Sequence, residues 1–510
     1  MKLKYIILCS IMPTMLSCSL DYDPVDVYSD VTEGVTQDSL KTVFKDKADV
    51  ENQRQIIHNC LRDGQEHWYL DMLLLGESHS DNAYAGSPNA ETTPFEVNSI
   101  EGSNTNLNRD WNGHMGNISR ANLLICNIDS VNDPSLTESE RKQYKAEAKI
   151  FRAMVYFDMV RIWGNVPLVT TVAGDIAAAS IADVYPAYFP PQTEEKTVYE
   201  QIERDLSEAL LDAPDNDPND KTQLNKSVAR TLLAKIYAEK PLRDYAKVIQ
   251  YCDELAADGF SLVSDFSELF GVILTDNNQP PGIDNRAVNA KAHNTKETIL
   301  EAYFAPGNAN WVTWMFGRPL EDYNFYFTWA KWITPSRDIV KAFKSEANDL
   351  RFNESIVYYP CGWNIYYPAD NYAFMYKCRS AYNSIIKFRY ADILLLKAEA
   401  LIMTGDLNGA AVLINQTRNR AGLSNLSASA TANKETLLNA YLKERRLELA
   451  FEGQRWFDLV RLDKVESVLN NLNDEGRPTL VYPYDANSYK LPIPQAVMDQ
   501  NPNLIQNPGY

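Results

Sequence analysis

The stretch KERRLELAFEGQRWFDLVR (443–461) decides the fold. Its charged residues recur three and four positions apart, as in Glu444–Glu448 and Arg445–Glu448, and side chains at those spacings lie beside each other on a helix. The apolar residues that would bury the opposite face are Leu447, Ala450, Phe451 and Leu459. We therefore predict one helix here, and we expect its carboxylates and guanidiniums to hold helices together.

The chain closes on LPIPQAVMDQNPNLIQNPGY (491–510), which is dense in Pro and Asn. A proline disfavours helical backbone at the residue before it, and asparagine favours turns. We predict an ordered, extended segment rather than a helix.

Helical periodicity also runs through much of the remaining chain. The predicted helices are 50–62, 117–129, 138–163, 198–211, 227–239, 245–256, 390–404, 407–420 and 434–451. In ARTLLAKIYAEKPLRDYAKVIQYCDEL (229–255) small residues face large ones across a helix–turn–helix, as in tetratricopeptide-like repeats, where each pair buries its face on the next. The pattern predicts an α-helical, repeat-like protein.

Composition excludes several functions. A net charge of -19 and the lack of a basic stripe argue against nucleic acid as a partner. The 5 histidines are scattered, and CxxC and HExxH motifs do not occur. We therefore expect no metal site and no cofactor, although bound calcium stays open.

The N-terminus has the pattern of a lipoprotein signal. Lys2 and Lys4 precede an apolar run at 5–16, and Ser17 and Cys18 follow it. This run is too short and wrongly flanked to span a membrane. We predict a signal peptide at 1–17, a lipid on Cys18, and an acidic tether at 18–45. No later stretch is apolar and long enough to cross a bilayer.

Several blocks, in order along the chain, resemble the SusD/RagB family of outer-membrane nutrient-binding lipoproteins of Bacteroidetes. Besides the two C-terminal stretches, they are AEAKIFRAMVYFDMVRIWGNVPLV (146–169), VYEQIERDLSEAL (198–210), SVARTLLAKIYAE (227–239), IIKFRYADILLLKAEALIMTGD (385–406) and INQTRNRAG (414–422). The resemblance spans about 53–510.

The resemblance implies a single globular body at 46–510. Its fold would be mostly α-helical, an α-α superhelix of tetratricopeptide-like repeats, with a loop-rich half carrying a few short strands. Repeat helices would occupy about 46–75, 115–260 and 385–462, and the loop-rich ligand half about 76–114, 260–384 and 463–510.

The resemblance also implies a function that is not enzymatic. The protein would face the cell exterior, bind a glycan or another nutrient, and deliver it as a lid to a SusC-like TonB-dependent outer-membrane transporter. The lipid would be its only contact with the membrane.

An aromatic cluster at 311–332 is the first candidate for the ligand site. Flat rings cover the apolar faces of a pyranose, and nearby polar groups satisfy its hydroxyls. The candidates for exposed stacking are Trp311, Trp314, Tyr323 and Tyr326. The alternation at 323–329 equally fits a strand whose one face is core.

The loop GESHSDNAYAG (76–86) is the second candidate. Asp81 and Asn82 can bind hydroxyls and Tyr84 can stack, but Asp and Asn in loops also commonly cap turns. A third aromatic stretch, 361–376, would line the same cleft or another face. Cys361 and Cys378 flank it, and spacing alone leaves open whether they form a disulfide.

Two other functions remain open from the residues. An all-helical glycoside hydrolase needs two facing carboxylates, and 68 acidic residues do not exclude such a pair. A protein-scaffolding repeat protein would explain the helices but not the aromatic loops. The identity of the nutrient does not follow from the sequence.

Overall fold

The computed structural model describes residues 43–173, 186–271, 292–304, 308, 310–317, 331–379 and 384–510. The predicted signal peptide, Cys18 and most of the tether lie outside these residues. The helices of the N-terminal part are α1 (Lys47–Asp63), α2 (Asp71–Leu73), α3 (Thr93–Glu96), α4 (Thr105–Asn127), α5 (Glu138–Trp163), α6 (Glu195–Asp212), α7 (Lys226–Ala238) and α8 (Tyr245–Ala257).

The helices of the C-terminal part are α9 (Trp311–Met315), α10 (Arg337–Lys344), α11 (Arg351–Ser355), α12 (Tyr390–Thr404), α13 (Leu407–Arg420), α14 (Lys434–Glu448), α15 (Arg455–Arg461), α16 (Val465–Leu469) and α17 (Gln495–Gln500). The strands are β1 (Ala83–Tyr84), β2 (Val166–Pro167), β3 (Gln192–Thr193), β4 (Thr298–Ala302), β5 (Thr334–Pro335), β6 (Ile356–Tyr359), β7 (Tyr372–Met375) and β8 (Ile385–Arg389). Each strand pairs with one other, antiparallel: β1–β5, β2–β3, β4–β8 and β6–β7.

Local sequence sets where the long helices begin and end. Thr137 caps α5 through a capping box with Glu140, which satisfies backbone N–H groups that have no partner within the helix. From Tyr144 onward most of α5 is buried, so this helix runs through the core. Gly405, with φ +98°, ends α12 in the left-handed conformation that glycine adopts without strain.

Helices that follow one another along the chain pack together, and pairs that are distant in sequence also meet. α5 packs on α6, α7 on α8, and α12 on α13 and α14. α8 also packs on α12, where the Cys252 thiol donates to the Ile393 carbonyl at 3.4 Å. N-terminal and C-terminal helix pairs therefore share one core, and the prediction of a mostly helical fold with a few short strands is confirmed.

The prediction of one continuous helix over 443–461 is wrong. α14 ends at Glu448 and α15 begins at Arg455, because Phe451 (φ +64°) and Gly453 (φ +72°) turn the chain between them. The buried Glu77 carboxylate accepts the backbone N–H groups of both turn residues, at 3.0 and 2.7 Å. A distant carboxylate thus stabilises a turn that the local pattern does not indicate.

Two other boundaries differ from the prediction. The closing segment contains the short helix α17, which begins directly after Pro494, where the fixed φ of proline suits entry into a helix. α4 begins at Thr105, inside the range 76–114 predicted as loop-rich. The Asn104 side chain caps it by accepting the Asn106 N–H at 3.0 Å.

Candidate functional site

The short helix α9 exposes two tryptophans. Asn310 caps it by accepting the Thr313 N–H at 2.9 Å. Val312 is fully buried, whereas Trp311 and Trp314 are 56% and 43% exposed. Residues three apart are neighbours on a helix, so α9 presents two partly exposed indoles to solvent.

Contacts to other parts of the chain hold α9 in place. The backbone N–H of Trp311 donates to Gln65 Oε1 at 2.6 Å. Lys331 donates from its ammonium to the Trp314 carbonyl, and that ammonium lies 5.4 Å from the Trp314 ring centroid. The indoles are therefore presented on an anchored backbone, which lowers the entropic cost of ligand binding.

Two of the predicted stacking residues, Tyr323 and Tyr326, lie at 318–330, outside the described residues. Of the four aromatic candidates at 311–332, the structure therefore places Trp311 and Trp314. Exposed neighbouring aromatic rings on a folded protein indicate a contact surface, and the flat indole faces suit the apolar faces of sugar rings.

The predicted site residues Asp81 and Asn82 are buried. Both Asp81 oxygens accept from the Arg455 guanidinium, at 2.8 and 2.9 Å. Burial alone would raise the Asp81 pKa, but Arg446 and Arg455 outweigh it and hold that pKa well below its usual range. Asn82 donates to Glu77 at 2.7 Å and accepts from Arg446 at 2.8 Å. Both side chains are committed to internal contacts, which argues against ligand binding by either.

Tyr84 is also buried. Its hydroxyl donates to Asp474 Oδ1 at 2.6 Å and accepts the Arg337 N–H at 2.8 Å. Its ring stacks on Tyr366, with centroids 4.3 Å apart. Tyr84 does stack, but on a tyrosine of the same chain. The loop 76–86, which contains β1, is thus held against the C-terminal part of the protein.

The aromatic stretch 361–376 is largely interior. Tyr366, Tyr372 and Tyr376 are buried, and Trp363 packs edge-on against Tyr372 at 5.4 Å. Cys361 and Cys378 carry thiols, and no disulfide joins them. The Cys361 thiol donates to the Trp363 carbonyl at 3.2 Å. This stretch forms a second aromatic core around β6 and β7.

The acidic residues of the C-terminal stretch form a buried charge cluster. Glu448 accepts from Arg389 at 2.7 Å, from Arg351 at 3.2 Å, and from Arg420. Burial alone would raise the pKa of Glu448, but Arg420, Arg389 and Arg351 together hold it far below its usual range. The pKa of Glu452 is lowered in the same way by Arg389 and Lys377. Carboxylates held ionised in this way are poor general acids.

One cleft contains two carboxyl groups with separated pKa values, as a hydrolase requires. The cleft, of about 320 Å³, is lined by Asp220 and Glu301. Burial, the largest effect, raises the pKa of Glu301 to about 7. Burial would also raise the pKa of Asp220, but hydrogen bonds from Thr222 and Gln223 outweigh this effect and lower that pKa. Glu301 itself accepts from Ser384 at 2.8 Å. These internal bonds favour a structural role for both groups.

The residues that the structure describes contain neither a metal-binding group nor a membrane-spanning helix. There, no three His, Cys, Asp or Glu side chains are grouped as a metal site would need. No helix in those residues combines the length and apolar character that a membrane crossing requires.

Comparisons of the sequence define the class of protein. A family model described as the SusD family matches residues 375–510, and one described as "Starch-binding associating with outer membrane" matches 31–238. SusD-like protein P2 of Formosa agariphila is 26% identical and covers 100% of this chain and 99% of its own. A SusD-like protein of Bacteroides ovatus is 23% identical, over 94% of this chain and 86% of its own.

Solved structures share the fold. A "Laminarin binding SusD-like protein" is 21% identical, with a TM-score of 0.68 over 92% of this chain and 100% of its own. Surface glycan-binding protein A from Bacteroides thetaiotaomicron, solved with laminarihexaose, is 19% identical, with a TM-score of 0.68 over 91% of this chain and 100% of its own. The fold is thus that of SusD-like proteins. The chain belongs to the SusD/RagB family.

Proposed function

We propose that this protein binds a neutral glycan on the exposed pair Trp311 and Trp314. The observation that carries the proposal is the position of the two indoles, three residues apart on an anchored helix and about half exposed. A net charge of -19 disfavours sulfated or uronic-acid polysaccharides, which the protein would repel. The laminarin- and laminarihexaose-binding proteins of the same fold support a neutral ligand.

The finer part of the proposal concerns location and partner. The protein is anchored on the outer face of the outer membrane by lipid on Cys18, and it delivers glycan as a lid to a SusC-like TonB-dependent transporter. This role is supported by the N-terminal signal pattern and by the match to a family described as associating with the outer membrane. A ligand that binds better between lid and transporter than to either alone would favour the closed complex.

The test is calorimetric titration of the mature lipoprotein in a non-glycosidic detergent. The ligands form an array of neutral, uronic-acid and sulfated oligosaccharides, and laminarihexaose is included. We expect one neutral glycan to bind, and each of Trp311→Ala and Trp314→Ala to weaken it about tenfold or more, since about 1.4 kcal/mol is tenfold in affinity. Trp311→Phe keeps a ring and should retain most of the affinity.

A matched control is Leu211→Ala, which removes another exposed apolar side chain (77% exposed) outside α9. It should leave the affinity unchanged. Equal binding by wild type and both tryptophan variants would refute the site. Release of shorter oligosaccharides during the titration would establish the hydrolase alternative instead.

Location and partner have separate tests. Labelled fatty acid should be attached to the wild-type protein and not to the Cys18→Ala variant. A TonB-dependent barrel protein should co-purify with the wild type from native outer membranes. Purification without any large barrel protein would contradict the lid role while leaving the glycan site intact.

A further inference from the structure

A groove of about 640 Å³ lies between residues 98–103 and the closing part of the chain, within 482–510. Sites for small ligands typically have volumes of about 300–1,000 Å³. None of the lining residues belongs to α9, so the groove is distinct from the tryptophan pair.

Hydrogen bonds fix both ends of the groove. The Val481 N–H donates to the Val97 carbonyl at 2.8 Å, and the Gln495 N–H donates to the Gly102 carbonyl at 2.8 Å. The segment 97–102 is therefore held against the closing segment on either side of the opening. Because hydrogen bonds join its two walls, the groove is formed before a ligand arrives, which favours binding.

Two tyrosines of the groove are exposed although a nearby tyrosine is buried. Tyr482 and Tyr510 are 62% and 42% exposed, whereas Tyr484, two residues after Tyr482, is 2% exposed. The backbone of Tyr482 is held in place, because its carbonyl accepts from the Asn98 side chain at 3.1 Å. The segment thus buries one ring in the core and presents another beside a polar groove.

The polar lining of the groove selects the chemistry of its ligand. Its hydroxyl and amide side chains are Asn98, Ser99, Ser103, Asn487, Ser488, Gln495 and Gln506. Asn98, Asn487, Ser488, Gln495 and Gln506 also hydrogen-bond within the protein, which leaves Ser99 and Ser103 as the best placed to meet sugar hydroxyls. Glu101 and Asp485 are its carboxylates, and no Lys, Arg or His belongs to the described lining. The carboxylates would repel sulfated and uronic-acid sugars, while hydroxyl and amide groups suit sugar hydroxyls and an aromatic face suits a pyranose ring.

We propose that this groove is a second binding site, for a neutral oligosaccharide, with Tyr482 as its stacking platform. The proposal does not rest on the tryptophan pair. If both sites hold one glycan chain, binding at the second becomes intramolecular, so long glycans are retained far better than short ones.

The experiment combines calorimetry with a probe at the groove itself. 3-Fluorotyrosine is placed at position 482 of the mature lipoprotein, and fluorine NMR is recorded against the oligosaccharide array and a basic peptide. Calorimetry then compares a Trp311→Ala/Trp314→Ala variant with the same variant carrying Tyr482→Ala, Tyr482→Phe or Ile505→Ala. Ile505 lies in the same closing segment, is 76% exposed and does not line the groove.

We expect a neutral oligosaccharide to shift the fluorine signal and to bind the double tryptophan variant with residual affinity. Tyr482→Ala should weaken that residual binding at least tenfold, while Tyr482→Phe and Ile505→Ala leave it unchanged. Because Tyr482 is mostly exposed, its replacement should not unfold the protein.

Four results would overturn the proposal: no fluorine shift with any neutral sugar, residual binding that Tyr482→Ala does not change, a shift caused only by the anionic sugars or the basic peptide, or no residual binding in the double tryptophan variant. The two sites fail independently. No residual binding in the double tryptophan variant removes the groove and keeps the tryptophan site. If the double tryptophan variant keeps wild-type affinity and Tyr482→Ala then abolishes it, the tryptophan site is refuted and the groove is kept.

Discussion

Replacing Glu448 with glutamine tests whether the buried charge cluster holds the helices together. Glu448 is fully buried and accepts from three guanidiniums, those of Arg351, Arg389 and Arg420. A glutamine amide keeps one acceptor oxygen, but its NH₂ group faces a guanidinium that also only donates. The substitution therefore removes charge-assisted hydrogen bonds to all three guanidiniums and leaves each with one fewer anion, although other carboxylates such as Asp349 and Glu297 still pair with them.

These contacts set the size of the expected loss in the free energy of unfolding. A hydrogen bond to a charged group contributes about 1.5–3 kcal/mol, and breaking a buried ion pair by removing one partner costs about 3–5 kcal/mol. We expect Glu448→Gln to lower the free energy of unfolding by about 3–5 kcal/mol, measured by urea unfolding followed by far-UV circular dichroism.

The matched control is Glu138→Gln. Glu138 is 74% exposed and pairs with Lys142 at 3.6 Å, and such surface pairs contribute about 0.2–1 kcal/mol. A loss below about 1 kcal/mol for Glu448→Gln, or one equal to that of the control, would refute the reasoning.

Three further predictions concern other buried groups. Glu301 has a pKa raised to about 7, so the fold loses stability as the pH rises from about 4.5 to 7; Glu301→Gln should remove this loss of about 3 kcal/mol, and equal pH profiles of unfolding would contradict it. Gly453→Ala places a side chain at φ +72° with its Cβ 3.1 Å from the Met72 carbonyl oxygen; calorimetry should show a loss of about 1–2 kcal/mol, unlike Gly116→Ala in the open middle of α4. Asp81→Asn should destabilise the fold by about 3–5 kcal/mol, while the folded fraction keeps wild-type glycan affinity; weakened binding would return Asp81 to the ligand site.

Local signals predicted the helices well and the contacts between them poorly. The bounds of α12 and α13 agree with the apolar periodicity at 390–404 and 407–420, because caps and periodicity lie within the helix itself. The prediction of one helix over 443–461 failed because the Glu77 carboxylate that stabilises the turn at Phe451 lies 374 residues earlier.

The same limit applies to the candidate site. The cluster at 311–332 drew attention to Trp311 and Trp314, and both are exposed. Asp81 was proposed as a ligand residue because a loop aspartate looks available until its arginine partner, 374 residues away, is known. Tyr482 was overlooked, since only its contrast with the buried Tyr484 identifies it.

The contacts of the loop 76–86 have a consequence for the order of folding. Glu77 and Asp81 find their partners at Gly453 and Arg455, 376 and 374 residues later. Until that part of the chain is available, these carboxylates have no counterpart to bury against, and long-range contacts of this kind form slowly. The loop 76–86 therefore stays solvated while the chain is being made, and it closes only once residues 453–455 are available. A truncation before Arg455 would leave the first and last parts of the molecule unable to join.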